Sequence, residues 1–135
     1  MTIYVITGPP AGGKTTWVRE HAKPGDITID YDTLAAALSP GLPDDVAQHP
    51  EHVCATAQAA RTAAINDATT TAHNHDVYIT HAMPSRLALS RYRNHGFEIT
   101  TIDPGYDECM RRARTHRTPR QLAIVDDWYK RRGLA

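Results

Sequence analysis

Gly8-Pro9-Pro10-Ala11-Gly12-Gly13-Lys14-Thr15 is the stretch that leaves this chain the fewest choices of fold. It follows the apolar run Ile3-Tyr4-Val5-Ile6 and precedes Thr16-Trp17-Val18-Arg19-Glu20, which reads as helix. The spacing G-x-x-x-x-G-K-[ST] between a strand and a helix is that of a phosphate-cradling loop. Glycines permit a tight turn whose successive N–H groups point into one concavity, and the helix N-terminus behind it adds its positive end. On this reading Gly8, Pro9, Ala11, Gly12, Gly13, Lys14, Thr15 and Thr16 surround a nucleotide polyphosphate. Lys14 reaches the β- and γ-phosphates, and the Thr15 hydroxyl holds Mg²⁺. No base-specific motif separates ATP from GTP; ATP with Mg²⁺ is the expected pair.

A chain of 135 residues is a single-domain length, so residues 1–135 are expected to form one unit. The formal net charge is zero and argues neither for nor against a nucleic-acid partner. Its distribution is uneven. Arg111, Arg112, Arg114, Arg117, Arg120, Lys130, Arg131 and Arg132 crowd the end, whereas Asp26, Asp30, Asp32, Asp44 and Asp45 lie in the first third. That asymmetry points to an anion-facing segment late and a metal- or proton-handling segment early, or to two solvated faces of opposite sign. Cys54 and Cys109 form no C-x-x-C pair and are expected to be reduced thiols. The chain opens directly on a strand, and no apolar run approaches the ~18 residues that span a bilayer. A soluble cytoplasmic protein with no membrane and no obligatory protein partner is the expectation.

After a first helix over 14–22, Ile27-Thr28-Ile29 reads as a second strand that delivers Asp30-Tyr31-Asp32 at its C-terminal end. Open parallel sheets place their chemistry there. A helix over Thr33–Leu38 is broken by Ser39-Pro40-Gly41-Leu42-Pro43. Residues 51–72 carry Val53, Ala57, Ala60, Ala64 and Ala68 at helical spacing, a long helix with a shallow apolar stripe. Asn74-His75-Asp76 is a turn before a third strand, Val77-Tyr78-Ile79-Thr80. Pro84 opens a helix through Asn94, closed by Gly96, and Phe97–Ile102 is a fourth strand. Asp107 starts the arginine helix, Thr118-Pro119 interrupts it, and a last helix runs from Pro119 to Arg132. Strands alternating with helices define an α/β protein with a parallel sheet.

Several side chains are candidates for chemistry. Asp30 and Asp32, two residues apart at a strand end, diverge in direction and need not share one job. In a phosphoryl-transfer site one carboxylate accepts the proton of an attacking hydroxyl while another helps hold Mg²⁺ through water. Either can instead cap the following helix. Thr15 and Asp30 are the candidate Mg²⁺ groups, and Lys14 and Asp32 the candidate catalytic ones. In the basic segment Arg111 and Arg114 share a helix face and Arg117 follows one turn on. Such a segment, about 111–119, can close over ATP and neutralise charge on the transferred group, with Arg114 or Arg117 the favoured arginine. A solvated basic face or a nucleic-acid surface are the alternatives. His81, at the end of strand three, can contact substrate or metal-bound water or occupy a polar pocket; His73 and His75 read as a polar loop. Trp128 and Tyr129 read as core.

Together, the loop Gly8–Thr15, Asp30-Tyr31-Asp32 one βα unit later and the arginine-rich segment resemble the small P-loop kinases, above all the kinase domain of phage polynucleotide kinase. The resemblance covers nearly the full chain. It implies a three-layer α/β/α fold with a small sheet of about four strands ordered 2-3-1-4. It implies Lys14 on the phosphates, Thr15 on Mg²⁺, Asp32 as general base, and lid arginines, Arg112 among them, on the ATP phosphates. The implied activity is phosphoryl transfer to a nucleotide-type acceptor, either a nucleic-acid 5′-hydroxyl or a nucleoside monophosphate. One departure matters. The family kinase that acts on polynucleotide ends carries an arginine shortly after the aspartate to hold substrate phosphate, and here Thr33-Leu34-Ala35-Ala36-Ala37 has no charge. That opens a small-metabolite or antibiotic- or toxin-type phosphotransferase, or a P-loop ATPase switch. Arg86, Arg91 and Arg93 are candidate replacements for the missing clamp.

Overall fold

The computed structural model describes residues 1–41, 49–116 and 119–132. Four strands, β1 (Ile3–Thr7), β2 (Ile27–Ile29), β3 (Val77–Thr80) and β4 (Glu98–Thr101), form one sheet in the order β2-β3-β1-β4. Every pairing is parallel: β1 with β3 from Ile3↔Val77 to Ile6↔Thr80, β1 with β4 from Tyr4↔Glu98 to Thr7↔Thr101, and β2 with β3 from Ile27↔Val77 to Ile29↔Ile79. The helices are α1 (Lys14–His21), α2 (Tyr31–Leu38), α3 (Glu51–Thr70), α4 (Arg86–Asn94), α5 (Tyr106–His116) and α6 (Pro119–Arg131). This is the P-loop α/β/α fold, with the expected strand order.

The two central strands are apolar on both faces because helices cover both. Val5, Ile6, Val77 and Ile79 have no solvent exposure, the pattern of a sheet buried on two sides. Alternation sorts their side chains. Ile3, Val77 and Ile79 meet Ile29, Leu34, Ala64, Ile65 and Ala68 on the α2–α3 face. Ile6, Tyr78 and Tyr4 meet Trp17 and Val18 of α1 on the other. The alanine stripe of α3 behaves as its spacing predicts, with Val53, Ala57 and Ala68 buried. Small side chains let α3 lie close to the sheet. A separate cluster joins α5 to α6 through Cys109, Ala113, Val125, Trp128 and Tyr129, so the two late aromatics are core.

Several boundaries differ from the sequence reading, most by one or two residues. The second helix starts at Tyr31, with Asp30 as its cap, which moves Asp32 from a strand end into a helical first turn. The α4 cap is Ser85, whose Oγ accepts from Ala88 N at 3.1 Å, while Pro84 stands just outside. Strand β4, the edge neighbour of β1, covers Glu98–Thr101 and is shorter than the Phe97–Ile102 stretch that announces it. Helix α5 ends at His116 and α6 begins at Pro119; Arg117 and Thr118 lie outside the described residues, as do Leu42 and Pro43. Among the described residues no helix is long and apolar enough to cross a membrane.

Candidate active site

The loop after β1 passes so close to β4 that only glycine fits at its base. A Cβ on Gly8 would stand 2.2 Å from the Ile102 carbonyl oxygen. Gly12 N donates to Pro9 O at 3.0 Å and closes the turn. Gly13 is the left-handed N-cap of α1, at φ +91°. Ala11 is the one non-glycine residue with positive φ among the described residues, at +61°. That conformation costs roughly 1–2 kcal/mol, and strain of this kind concentrates at functional sites. No side chain caps α1 and no acidic residue sits in its first turn, so its N-terminal N–H groups and positive end face the loop. The Lys14 ammonium donates to Gly8 O and Pro9 O, each at 2.9 Å, which ties it to the loop.

This loop forms one wall of an open cleft of about 1310 Å³ at the C-terminal ends of the strands. Ala11, Gly12, Gly13, Lys14, Thr15 and Thr16 line it. Gly8 and Pro9 are buried beneath the loop and shape it from below. The opposite wall holds Asp30, Tyr31, Asp32, Gln58, Arg61, Thr80 and His81, and Asp103, Arg111 and Arg112 complete the rim.

Asp30 has a structural task. Its Oδ2 accepts from Thr33 N at 2.9 Å and Thr33 Oγ1 at 2.8 Å, and its Oδ1 accepts from Thr80 Oγ1 at 2.7 Å. The carboxylate therefore caps α2 and binds the β2–α2 turn to β3. Asp32 stands in the first turn of α2, exposed, on the cleft wall.

The arginines sort by helix geometry. Arg112 donates from Nε to Glu108 Oε1 at 2.9 Å and from a terminal nitrogen to Ala11 O at 3.2 Å, reaching from α5 to the strained apex of the loop. Arg111 pairs with the same carboxylate at 2.6 Å and also lines the cleft. Both hydrogen bonds hold Glu108 down at about 2. Arg114, favoured by its spacing, is exposed and lies outside the cleft lining. Two residues turn a helix by about 200°, so it cannot share the direction of Arg112. Arg117 lies outside the described residues. Arg86, Arg91 and Arg93 are exposed on α4 and do not line the cleft either.

His81 continues the β3 ladder through its N–H to Ile6 O, and its Nδ1 meets the Tyr92 hydroxyl at 2.8 Å. Burial, reinforced by the nearby Arg61 charge, pushes the imidazole down to about 4, so it is neutral near pH 7. His73 and His75 lie at the opposite end of β3, in the turn, with Ala68 O and Asp26 as their neighbours.

Asp103 and Arg61 are among the cleft residues that escaped the sequence reading. Asp103 lies two residues past the end of β4; its Oδ1 accepts from the Tyr129 hydroxyl at 2.5 Å and from Gly105 N at 3.0 Å. Its position directly after the expected strand Phe97–Ile102 was the available signal. Arg61 lies in the middle of the alanine-rich helix, and nothing local marks it.

The oxygen set suits Mg²⁺. The Thr15 hydroxyl and the Asp30, Asp32 and Asp103 carboxylates line one cleft. Among the described residues no three His, Cys, Asp or Glu side chains converge into a metal cage. Mg²⁺ bound through one or two protein oxygens plus substrate phosphates needs no such cage.

A parallel sheet, a strained glycine loop at a helix N-terminus and a shared cleft define a P-loop nucleotide-binding domain. The family model of the AAA domain (AAA_33) matches residues 3–126, and the chain belongs to that family, a P-loop NTPase-like group that includes kinases. None of the curated proteins matches the chain.

Proposed function

We propose that the protein is an ATP- and Mg²⁺-dependent kinase that transfers the γ-phosphoryl group to a nucleotide-type acceptor, either a nucleic-acid 5′-hydroxyl or a nucleoside monophosphate. One observation carries the reading: the phosphate loop and Asp32 face a single cleft with room for two substrates. On this reading the loop N–H groups, Lys14 and Arg112 hold the polyphosphate of ATP. Thr15 and Asp30 are the groups that would hold Mg²⁺, which when bound neutralises charge on the phosphates. Where the acceptor presents a hydroxyl, Asp32, in the first turn of α2, takes its proton.

The absence of any basic residue in Tyr31–Leu38 favours, as a second reading, a small alcohol acceptor over a long nucleic acid. Labelled ATP tested against 5′-hydroxyl oligonucleotides, nucleosides, nucleoside monophosphates and sugar acids separates these. The nucleotide reading expects ADP release stimulated by a nucleotide-type member; with a hydroxyl acceptor Asp32→Asn should lower kcat by roughly 10²–10⁴ with ATP binding intact, and an unchanged kcat would point to a phosphate acceptor or a structural cap. ADP release that no acceptor stimulates would mean a hydrolytic switch. Stimulation by a sugar acid alone would move the protein to the small-metabolite class.

A further inference from the structure

Arg61 stands in one helical row with Val53 and Ala57, both buried, because residues four apart share a face. The row carries its partly buried side chain to the end of β3, where a terminal nitrogen donates to Thr80 O at 2.9 Å. That carbonyl occupies one of the five N–H donors of a guanidinium. Among the described residues no carboxylate forms an ion pair with Arg61, whereas Arg111, Arg112, Lys130 and Arg131 each have one within 2.9 Å. Withdrawing a charge from water without a counter-charge is costly. A guanidinium held this way on a cleft wall is suited to an anion that enters from outside.

The sheet order says which anion. The phosphate loop follows β1, and Arg111 and Arg112 come from α5, after β4. Arg61, Asp30, Asp32 and His81 come from the β2–β3 half. We infer that Arg61 is the anion clamp of the acceptor subsite, binding a phosphate monoester or carboxylate that the acceptor carries beside the group to be phosphorylated. The inference rests on the kinase reading above. It supplies the positive charge that α2 lacks. Arginine suits the place better than lysine, since one edge of the planar fork serves Thr80 O while the other binds an anion in two-point fashion. The neutral His81 and the Gln58 amide, also on the cleft wall, add hydrogen bonding without a second charge.

The test uses the full chain with its loop saturated by Mg²⁺ and the β,γ-imido analogue of ATP, and inorganic phosphate as probe, followed by calorimetry and ³¹P line broadening. A further, saturable phosphate site is expected. Arg61→Gln, whose amide can still donate to Thr80 O, should weaken it about 10–100-fold, and Arg61→Lys should weaken it less. In turnover, thymidine 3′- and 5′-monophosphates and gluconate are each compared with thymidine or glucose. Here Arg61→Gln should raise KM for an anionic acceptor and leave its neutral counterpart unchanged. No saturable site in the analogue-loaded wild type, or equal losses for charged and neutral acceptors, overturns the inference. So does a loss of analogue affinity in Arg61→Gln, which would place the residue on the donor side. If the analogue itself fails to bind wild type, it is the kinase reading that fails.

Discussion

Gly8→Ala puts a methyl group where the loop and β4 nearly touch. The added carbon would lie 2.2 Å from Ile102 O, so the strand ends must part by roughly 1 Å to restore ordinary contact. The bond that joins them there, Ile102 N to Thr7 O at 2.8 Å, is stretched by the same movement, a loss of about 0.5–1.5 kcal/mol. Backbone at φ +152° adds strain for any L side chain, about 1–3 kcal/mol. The expected destabilisation is about 2–4 kcal/mol, or roughly 6–20 °C in Tm for a domain of this size. Gly96→Ala isolates the strain, because φ there is +76° and nothing lies within 4 Å of the new carbon; about 1 kcal/mol is expected. Thermal and urea unfolding followed by circular dichroism, with and without an ATP analogue, measure both variants. Gly8→Ala should also lose most of the Tm rise that the analogue gives wild type, since ligand stabilisation scales with affinity. A Gly8→Ala variant no less stable than Gly96→Ala, with its analogue response intact, would refute the close-approach argument.

The remaining expectations concern side chains around the same cleft. Arg112→Ala should weaken binding of an ATP analogue by about 10-fold or more, the range of a charge-assisted hydrogen bond. Arg114→Ala should stay within about twofold, and calorimetry on the two decides between spacing and geometry. Tyr129→Phe removes the hydroxyl that holds Asp103 and should cost about 1–3 kcal/mol in urea unfolding; an unchanged midpoint would mean that Gly105 N and water suffice. His81 is pushed down to about 4 in the fold, below the ordinary 6.5 or so of an unfolded histidine. The unfolded chain then binds the extra proton first. The contribution is complete above pH 6.5 and is lost as pH falls toward 4, by about 1 kcal/mol after allowance for solvent access. Stability curves of wild type and His81→Gln should converge in shape only if this is wrong.

Chemistry that depends on neighbours along the chain was legible in the residues alone. The phosphate loop needs glycines, a lysine and a hydroxyl at set offsets because backbone curvature and helix start are local properties. Strand and helix periods, the α3 stripe and the class of fold follow from the same short-range repeats. The strand order came from resemblance rather than from the residues. Contacts across the sheet required the folded chain. Arg112 and Ala11 are 101 residues apart, Thr80 and Asp30 50, and Tyr129 and Asp103 26. No offset in the sequence encodes such distances, and a two-residue change in helix start decides which aspartate caps α2. Thus tertiary packing assigned Asp30 to the α2 cap, turned Arg112 rather than Arg114 toward the loop, and set Arg61 on the cleft wall. Its physical basis is direction: composition says which charges exist, and only the packed helices say where they point.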